Sequence, residues 1–467
     1  MSRKSPADHS KLTARFAAAE AFRHACVGEM HVHECIRSHQ AAERLDSREA
    51  GLAMEIALGA IRHANTIRSI LSHVADYDDR RVDPDVRAIL YTAAHQLIWL
   101  DRVPDFAAVN EAVELSREMV GVRVGGLVNA VLRRLTRAIE TKRGPWERLS
   151  ARHIRVTWDQ ACVFNCDVLP ASSALERHLA AATGEPPSRF ERMVATLGLP
   201  EAEAAAWAMQ ASPPITLQRN TLTTSREKFA DALKDVPEIE IADDAAYLPG
   251  NAALLEIAAF RDGLCYVQDA TANQAVGSLH PRPGQRILDL CAAPGGKTIA
   301  IACAMRDQGQ VVAADVSNDR LARIRANVSR LQLTSVWALL LPAGDVSKLI
   351  PLGEFDGVLA DVPCSNTGVI ARRPEARLTL NEKKLASLVE LQQRLIRVAG
   401  ARTKVGGHLV YSTCSIEPPE NDAIVQNFLA GSDAWQVDEL KLTLPAWGPK
   451  LSDWRDGGFV ARMTRVK

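Results

Sequence analysis

The sequence predicts an all-α N-terminal domain followed by an α/β domain with a mostly parallel sheet. Two patterns along the 467 residues support this prediction. From about residue 10 to 140, apolar residues recur every three or four positions, as in amphipathic helices. From about residue 261, short apolar runs alternate with helix-length segments, as in a sheet whose strands are joined by helices. A chain of this length, 47% hydrophobic, can form two or three domains with separate cores.

The first part of the chain is predicted to be helical. The segment SREAGLAMEIALGAIRHANTIRSILSHV has helical spacing, and Asp83 before Pro84 predicts the start of another helix, because proline is favoured at the first helical position. Residues 141–170 lose this periodicity and are interpreted as a connector. Residues 171–260 are mixed, with a helical EAEAAAWAMQ and a strand-like PPITLQRN. The predicted domains are a helical domain, a connector with a mixed subdomain, and an α/β domain, at residues 10–146, 147–260 and 261–467.

Five apolar runs in the last part are predicted to be strands of one sheet. Helix-length pieces such as NDRLARIRANVSRLQ separate them, which favours parallel strands. Ligands of open α/β sheets bind beyond the carboxyl ends of the strands, so residues at these ends are candidate site residues. The five runs are QRILDLC, QVVAADVS, SVWALLL, FDGVLADVP and GGHLVYSTC.

The first strand is followed by a glycine-rich turn, DLCAAPGGKT, at residues 289–298. Its two glycines let the backbone approach a ligand, and a helix predicted from about Lys297 offers N–H groups to a carboxylate or phosphate. Asp315, twenty residues after Gly295, has the position of an acid that binds ribose hydroxyls, and Asp345 and Asp361 also lie at predicted strand ends. Because the turn is neither GxGxxG nor GxxxxGK[ST], it disfavours NAD and ATP and favours an adenosine that carries methionine.

Composition limits the location and the partners of the protein. The N-terminus is polar and no apolar run approaches eighteen residues, so we expect a cytoplasmic protein without a membrane partner. Nine scattered cysteines indicate reduced thiols, and Cys162 and Cys166 lack a second ligand pair, so we expect no metal. Fifty-six basic residues balance fifty-six acidic ones, so a polyanion would have to bind a local patch. We expect a monomer.

Three motifs carry a resemblance to a known family. DLCAAPGGKT, DVPCSNTGVIARRPE and YSTCSIEPPEND, in this order, resemble the central motifs of the Fmu/Sun family of RNA cytosine-5 methyltransferases. FRDGLCYVQDATANQAV and DGGFVAR resemble the segment before the first motif and the closing strand. RVPDFAAVNEAVELSR followed by GLVNAVLRRL is similar to the NusB-like domain of the bacterial branch that modifies small-subunit ribosomal RNA. The resemblance implies a Rossmann-like methyltransferase domain after an all-α NusB-like domain, with S-adenosylmethionine as cofactor and 16S ribosomal RNA as substrate.

The implied reaction explains why two strands end in a cysteine. Carbon 5 of cytosine is too weak a nucleophile to take a methyl group directly, so a thiolate must first add to carbon 6. Afterwards the proton on carbon 5 must leave and the thiolate must be eliminated, which requires a base. The chemistry alone does not choose between Cys364 and Cys414, since DNA cytosine-5 methyltransferases use the cysteine of a Pro-Cys pair such as Pro363-Cys364. The family order implies that Cys414 is the nucleophile and that Cys364 assists product release.

The resemblance also assigns the residues around these cysteines. Asp361 is expected to accept from the cytosine amino group, and Lys297 to donate to the base or stabilise its developing charge. Asn421 and Glu417 are expected to order the loop that carries Cys414. The expected cofactor-binding residues are Cys291, Ala292, Ala293, Pro294, Gly295, Gly296, Lys297, Asp315, Asp345 and Asp361.

A basic stripe is the candidate RNA-binding surface. Residues 122–143 contain six basic side chains and one acidic one, and Arg133, Arg134 and Arg137 are expected to face phosphates, with Arg219 as a further RNA contact. Three alternatives stay open: a methyltransferase for tRNA or another RNA, one for DNA or a free nucleotide, and a non-catalytic RNA-binding assembly protein. The chain has no obvious DNA target-recognition domain, and the two thiols and cofactor acids argue against inactivity.

Overall fold

The computed structural model describes residues 13–42, 44–341, 351–430 and 432–467. The chain divides into two compact units. The helical unit comprises Met1–Ala211 and Ile370–Thr379, and the sheet unit comprises Ser212–Val369 and Leu380–Lys467. The ten residues Ile370–Thr379 therefore belong to the helical unit, although the sequence on both sides of them belongs to the sheet unit.

The helical unit begins with amphipathic helices that bury their alanine, isoleucine and leucine faces. The predicted helix start at Pro84 is confirmed, because Asp83 caps the helix by accepting a hydrogen bond from the backbone N–H of Asp85 at 2.8 Å. The helices are α1 (Ala14–Val27), α2 (Val32–Ala41), α3 (Ser47–Arg62), α4 (Ala64–Ala75), α5 (Pro84–Trp99), α6 (Asp105–Met119) and α7 (Val124–Ala138).

The interpretation of residues 141–170 as a connector is wrong. Three strands in and just before this stretch form an antiparallel sheet, β1 (Ile139–Pro145), β2 (His153–Arg155) and β3 (Gln160–Phe164), in the order β1-β3-β2. The strands are short, and the pairing of β1 shifts register twice, so alternation of apolar residues is too irregular to read. Helices α8 (Leu175–Ala182), α9 (Pro187–Leu197) and α10 (Leu199–Gln210) complete this part of the unit.

The sheet unit opens with a small antiparallel sheet in the order β5-β6-β4-β7. The strand-like PPITLQRN forms β4, one of its two inner strands, as predicted. Phe229 of α11 and Leu217 of β4 are fully buried in its core. The elements are β4 (Ile215–Arg219), α11 (Arg226–Leu233), β5 (Glu240–Ala242), β6 (Ala245–Leu248), α12 (Ala258–Arg261) and β7 (Cys265–Val267).

A seven-stranded sheet forms the rest of the unit, and it contains all five predicted strands. Its elements are α13 (Ala270–Leu279), β8 (Arg286–Leu290), α14 (Gly296–Ala304), β9 (Gln310–Asp315), α15 (Asn318–Arg330), β10 (Val336–Leu340), β11 (Phe355–Asp361), α17 (Glu382–Arg402), β12 (Thr403–Thr413), α18 (Asp422–Leu429), β13 (Trp435–Thr443) and β14 (Gly458–Arg465). The short helix α16 (Ala376–Thr379) lies in the segment assigned to the helical unit.

The order of this sheet places a ligand site. The strands run β10-β9-β8-β11-β12-β14-β13, with β8 to β12 mutually parallel and β14 antiparallel to both of its neighbours. The chain builds outward from β8 to β9 and β10 and then returns to the other side of β8 with β11. This reversal creates a crevice at the carboxyl ends of β8 and β11, where open α/β sheets bind ligands.

Among the described residues, none of the helices is both long and apolar enough to cross a membrane.

Candidate active site

The glycine-rich turn leaves β8 in a conformation that brings backbone to the sheet edge. Cys291 has a φ of 68°, and the Ala292 N–H donates to the carbonyl of Ala314 on β9 at 2.9 Å. Gly295 has a φ of 105°, and a Cβ there would lie 3.0 Å from Ile324 Cγ1 on α15. The backbone angle therefore favours glycine, and an added Cβ would also force Ile324 to shift. Helix α14 begins at Gly296, one residue from the predicted start.

Asp315 lies at the same edge of the sheet, as the last residue of β9. Its buried carboxylate accepts from the backbone N–H of Ala293 at 3.2 Å and of Ser317 at 2.9 Å, and Arg320 Nη2 lies 3.0 Å from it. The turn and the acid are thus held together, as a nucleoside site at the end of the second strand requires.

Lys297 and Asp361 form an ion pair at the switch point between β8 and β11. Lys297 Nζ donates to Asp361 Oδ2 at 2.8 Å, and Ser412 Oγ of β12 donates to Asp361 Oδ1 at 2.7 Å. Burial disfavours the charged lysine, but the Asp361 carboxylate outweighs it and raises the pKa of Lys297. The site therefore holds a fixed ammonium and a carboxylate whose two oxygens both accept hydrogen bonds.

The two motif cysteines lie in contact. Cys364 follows β11, Cys414 follows β12, and their sulfur atoms are 3.1 Å apart. The hydrogen bond to Cys414 and burial together raise the pKa of the Cys364 thiol well above its usual value. Cys414 is partly exposed, and it lines a cavity together with Lys297 and Asp361. The Asn366 side-chain carbonyl accepts from the Cys414 thiol at 3.1 Å.

A buried carboxylate that the sequence analysis missed holds both cysteine loops. Glu420 accepts from the Ser365 N–H at 2.9 Å, from Ser415 Oγ at 2.5 Å and from Gln392 Nε2 at 2.9 Å. The expected loop residue Asn421 is present in this network, where it accepts from Thr413 Oγ1 at 2.7 Å. Glu417 takes part through its backbone N–H, which donates to Ser415 Oγ. The side-chain carboxylate that holds the two loops is therefore that of Glu420. The motif SIEPPEND offers both acids, and only the fold shows which one points inward.

Asp289 is a second acid that the sequence analysis did not select. It lies fully buried in β8, and Thr298 Oγ1 of α14 donates to its Oδ2 at 2.5 Å. Burial is the main cause that raises the pKa of Asp289 to about 7. The Asp289–Thr298 hydrogen bond joins the strand to the first turn of α14 beneath the glycine-rich turn.

The remaining candidate residues are placed as follows. Arg133, Arg134 and Arg137 are exposed on α7, with spacing that puts them along one side of the helix. Arg219 belongs to the sheet unit, and its guanidinium lies 2.8 Å from Asp244. Asp345 lies outside the described residues.

The turn, the terminal acids and the strand order define a Rossmann-like nucleoside-binding fold, and a helical region precedes it in the chain. A sequence model described as 16S rRNA methyltransferase RsmB/F matches residues 276–448, and one described as NusB family matches residues 13–137. The chain is 32% identical to a probable ribosomal RNA small subunit methyltransferase B of Synechocystis sp., over 84% of this chain and 83% of the relative. It is 30% identical to ribosomal RNA small subunit methyltransferase B of Pseudomonas syringae pv. tomato, over 89% and 86%.

The fold comparison agrees with the sequence comparison. The solved structure of PH0851 superposes with a TM-score of 0.71 at 23% identity, and the match covers 97% of this chain and 99% of that one. The chain belongs to the ribosomal RNA small subunit methyltransferase B family. The resemblance drawn from the three motifs and the NusB-like segment is thereby confirmed.

Proposed function

We propose that this protein transfers a methyl group from S-adenosylmethionine to carbon 5 of a cytosine in small-subunit ribosomal RNA. The contact between Cys364 and Cys414 at the ends of two adjacent parallel strands carries the proposal. A methyl transfer to a nucleophilic heteroatom would need no thiol, whereas carbon 5 of cytosine must first be activated by covalent addition. A site with two thiols beside a fixed ammonium and a carboxylate meets this requirement.

The edge around the glycine-rich turn fits an adenosine with a charged amino-acid tail. Asp315 is a buried acid beside the turn, and the N-terminus of α14 follows Gly295. The first can accept from ribose hydroxyls, and the second favours a carboxylate. When bound, S-adenosylmethionine supplies the methyl group on an electrophilic sulfonium centre. Cys291 to Lys297, Asp315 and Asp361 are the described residues that would hold it, and Asp345 stays a sequence-based candidate.

Exposure supports Cys414 as the nucleophile. Cys414 borders the cavity with Lys297 and Asp361, whereas Cys364 is buried behind it and its raised pKa keeps it a thiol at neutral pH. Addition of the Cys414 thiolate to carbon 6 moves the electrons of the 5,6 double bond toward carbon 5, which then becomes nucleophilic. When the proton on carbon 5 is lost to solvent, the 5,6 double bond re-forms and the Cys414 sulfur leaves carbon 6 as a thiolate. The Cys364 thiol can donate a hydrogen bond to this sulfur, because the two atoms are already in contact.

Asp361 and Lys297 are suited to hold the base. Asp361 can accept from the cytosine amino group, and Lys297 can donate to the ring or its carbonyl as negative charge develops during thiolate addition. Their 2.8 Å ion pair fixes both groups before substrate arrives. Such fixed charges are more effective than mobile ones, because the site need not reorganise during the reaction.

Bisulfite sequencing of ribosomal RNA from cells with and without the gene tests the proposal. We expect one cytosine of the small-subunit RNA to be protected in the parent strain and converted in the deletion strain. Complementation with the intact gene should restore protection, and complementation with Cys414→Ser should not. Protection lost from tRNA instead would redirect the substrate, and unchanged patterns in all RNAs would overturn the proposal.

A further inference from the structure

Four side chains of metal-binding type lie between α1 and α2 of the helical unit. Glu20 and His24 are four residues apart on α1, and Cys35 and His39 are four residues apart on α2. Residues with this spacing share a helix face, so each helix presents one pair. The ligand atoms of Glu20, Cys35 and His39 all lie within 4.8 Å of one another.

The distances are close to those of a four-coordinate site. His39 Nε2 lies 2.7 Å from Glu20 Oε2, Cys35 Sγ lies 4.0 Å from His39 Nε2, and His24 Nε2 lies 3.9 Å from Glu20 Oε1. Zinc takes sulfur at about 2.3 Å and nitrogen or oxygen at about 2.0–2.2 Å, which separates tetrahedral ligand atoms by roughly 3.3–3.8 Å. Side-chain shifts of about 1 Å would therefore bring the ligand atoms of Glu20, Cys35 and His39 to one centre. His24, whose Nε2 lies 3.9 Å from Glu20 Oε1, is the candidate fourth ligand.

A further contact orients one of the histidines. The ring nitrogen Nδ1 of His24 lies 2.8 Å from Glu29 Oε2, which leaves Nε2 as the nitrogen on the Glu20 side. Metal-binding histidines commonly give their other ring N–H to a carboxylate in this way, which fixes the tautomer and the ring. Cys35 and His39 are buried, whereas Glu20 and His24 are partly exposed, so an ion could enter from the α1 side.

Arg23 is the charged group that a bound ion would displace. Its Nη2 lies 3.1 Å from His24 Nε2, so the positively charged guanidinium of Arg23 already lies beside this nitrogen. Arg23 also lies 3.3 Å from Asp85 and 3.8 Å from Glu29, and these carboxylates would hold the guanidinium after it moves away. Without an ion, the Glu20–His39 contact is an ordinary, partly buried hydrogen bond, and this is the alternative that the experiment distinguishes.

We propose that Glu20, His24, Cys35 and His39 bind one zinc ion that joins α1 to α2. A set of one thiolate, two imidazoles and one carboxylate suits zinc better than magnesium or calcium, which prefer oxygen ligands. The Cys35 thiol loses its proton to solvent as the sulfur–metal bond forms, and no electron is transferred. The site is independent of methyl transfer and has a structural role.

The ion would also stabilise the helix end that receives the segment Ile370–Thr379. The first residue of α2, Val32, donates its backbone N–H to Glu375 Oε1 of that segment at 3.2 Å. Fixing α2 against α1 therefore fixes one of the contacts by which the helical unit holds this piece of chain.

Metal binding to the untagged full-length protein tests the proposal. After chelator treatment and dialysis, we expect calorimetry to show one equivalent of Zn²⁺ bound, with a rise in Tm. Co²⁺ should give the near-ultraviolet charge-transfer band of a thiolate ligand. Cys35→Ser should abolish this band and weaken Zn²⁺ binding by more than about 100-fold, since even loss of a group that only orients a ligand costs about 10- to 100-fold. Glu29→Gln should lower the Zn²⁺ affinity by the smaller factor of about 10- to 100-fold and should retain the band.

Cys26→Ser is the matched control, because Cys26 lies on α1 outside the group of four. It should leave the Zn²⁺ affinity and the Co²⁺ spectrum unchanged. If Cys35→Ser does not fold, by circular dichroism, His39→Gln provides the same comparison. Failure of the wild-type protein to bind Zn²⁺, or binding that neither Cys35→Ser nor His39→Gln weakens, would overturn the proposal. A charge-transfer band that disappears only with another cysteine would do the same.

Discussion

The sulfur atoms of Cys364 and Cys414 lie 3.1 Å apart, but their surroundings differ. Cys364 is 9% exposed and its pKa is raised by its hydrogen bond to Cys414 and by burial. Cys414 borders the cavity that contains Lys297 and Asp361. The two thiols therefore differ in their access to a nucleobase bound in this cavity. This difference favours one nucleophile and one assisting group over two equivalent cysteines.

The first prediction assigns these cysteines to different steps. Cys414→Ser should abolish both methylation and the covalent protein–RNA adduct, because a hydroxyl without a strong base is a much weaker nucleophile than a thiolate. In Cys364→Ala, Cys414 should still add to the base and the base should still be methylated. The product should then be released slowly. A denaturing gel should show a slow band for Cys364→Ala that depends on S-adenosylmethionine.

The double variant Cys364→Ala, Cys414→Ser is the control for this experiment, and it should show no slow band. An adduct that accumulates in Cys414→Ser and is lost in Cys364→Ala would reverse the assignment. The chemistry would then follow the Pro-Cys pattern of the DNA enzymes, which the sequence alone left open.

The second prediction concerns the acid at the end of β9. Asp315→Ala should weaken S-adenosylmethionine binding by about 1–3 kcal/mol, the cost of leaving buried polar groups without a partner. Calorimetry measures this directly. Asp319→Ala is the control, because Asp319 is exposed in the first turn of α15 and should leave affinity unchanged. An Asp315→Ala protein with normal Tm and normal affinity would show that the ribose is bound elsewhere.

The third prediction tests Glu420 as the residue that holds both cysteine loops. Glu420→Gln replaces one of the two acceptor oxygens with an amide NH₂, which then faces either the Gln392 amide and the Ser365 N–H or the Ser415 hydroxyl. We expect a loss of about 2–3 kcal/mol in the free energy of unfolding and a lower kcat. Glu417→Gln, in the same loop, should change neither. Equal effects of the two substitutions would contradict the assignment.

The strand ends could be predicted from sequence because the signals there are local. Each apolar run and its terminal polar residue are adjacent in the sequence, and the parallel-sheet rule then brings the ends together. This was sufficient for the turn at Gly295, for Asp315, for Asp361 and for both cysteine loops. The resemblance, and not the chemistry, distinguished the roles of the two cysteines.

Other features depend on contacts between distant parts of the chain. No local pattern shows that Ile370–Thr379, which directly follows the Cys364 loop, belongs to the helical unit. Arg377 looks like a surface residue in the sequence, but it is buried there against Glu185, which precedes it by 192 residues. Glu20 and His39 likewise meet only because α1 and α2 pack together.

The fourth prediction concerns the exposed arginines of α7. Substituting Arg133, Arg134 and Arg137 with glutamine removes three charges from one side of the helix. If all three face phosphates, the slope of log K against log salt should fall by roughly two to three, since each phosphate contact contributes about 0.7–0.9. Filter binding with ribosomal RNA at several salt concentrations measures the slope. The double variant Arg80→Gln, Arg81→Gln removes exposed charges elsewhere in the unit and should have little effect.

The last prediction concerns the buried pair that holds Ile370–Thr379 in the helical unit. Glu185 is fully buried and accepts from Arg377 Nε at 2.9 Å and from Arg189. Glu185→Gln leaves two arginines without their counter-charge, so it should lower the free energy of unfolding by about 3–5 kcal/mol. The control is Glu203→Gln, because Glu203 pairs with the exposed Arg148 and such pairs contribute under about 1 kcal/mol.

The same pair predicts a pH dependence with a definite sign. Burial opposes ionisation of Glu185, but the two arginines outweigh it and lower its pKa from the ordinary 4.5. A carboxyl with a lowered folded-state pKa stabilises the protein above its unfolded-state pKa, and this stability is lost as the pH falls through the folded-state value. Denaturant unfolding from pH 7 to pH 3 should therefore show the gap between wild type and Glu185→Gln constant down to about pH 4.5 and shrinking below it. A gap that instead widens toward low pH would show that Glu185 is not ionised in the folded protein.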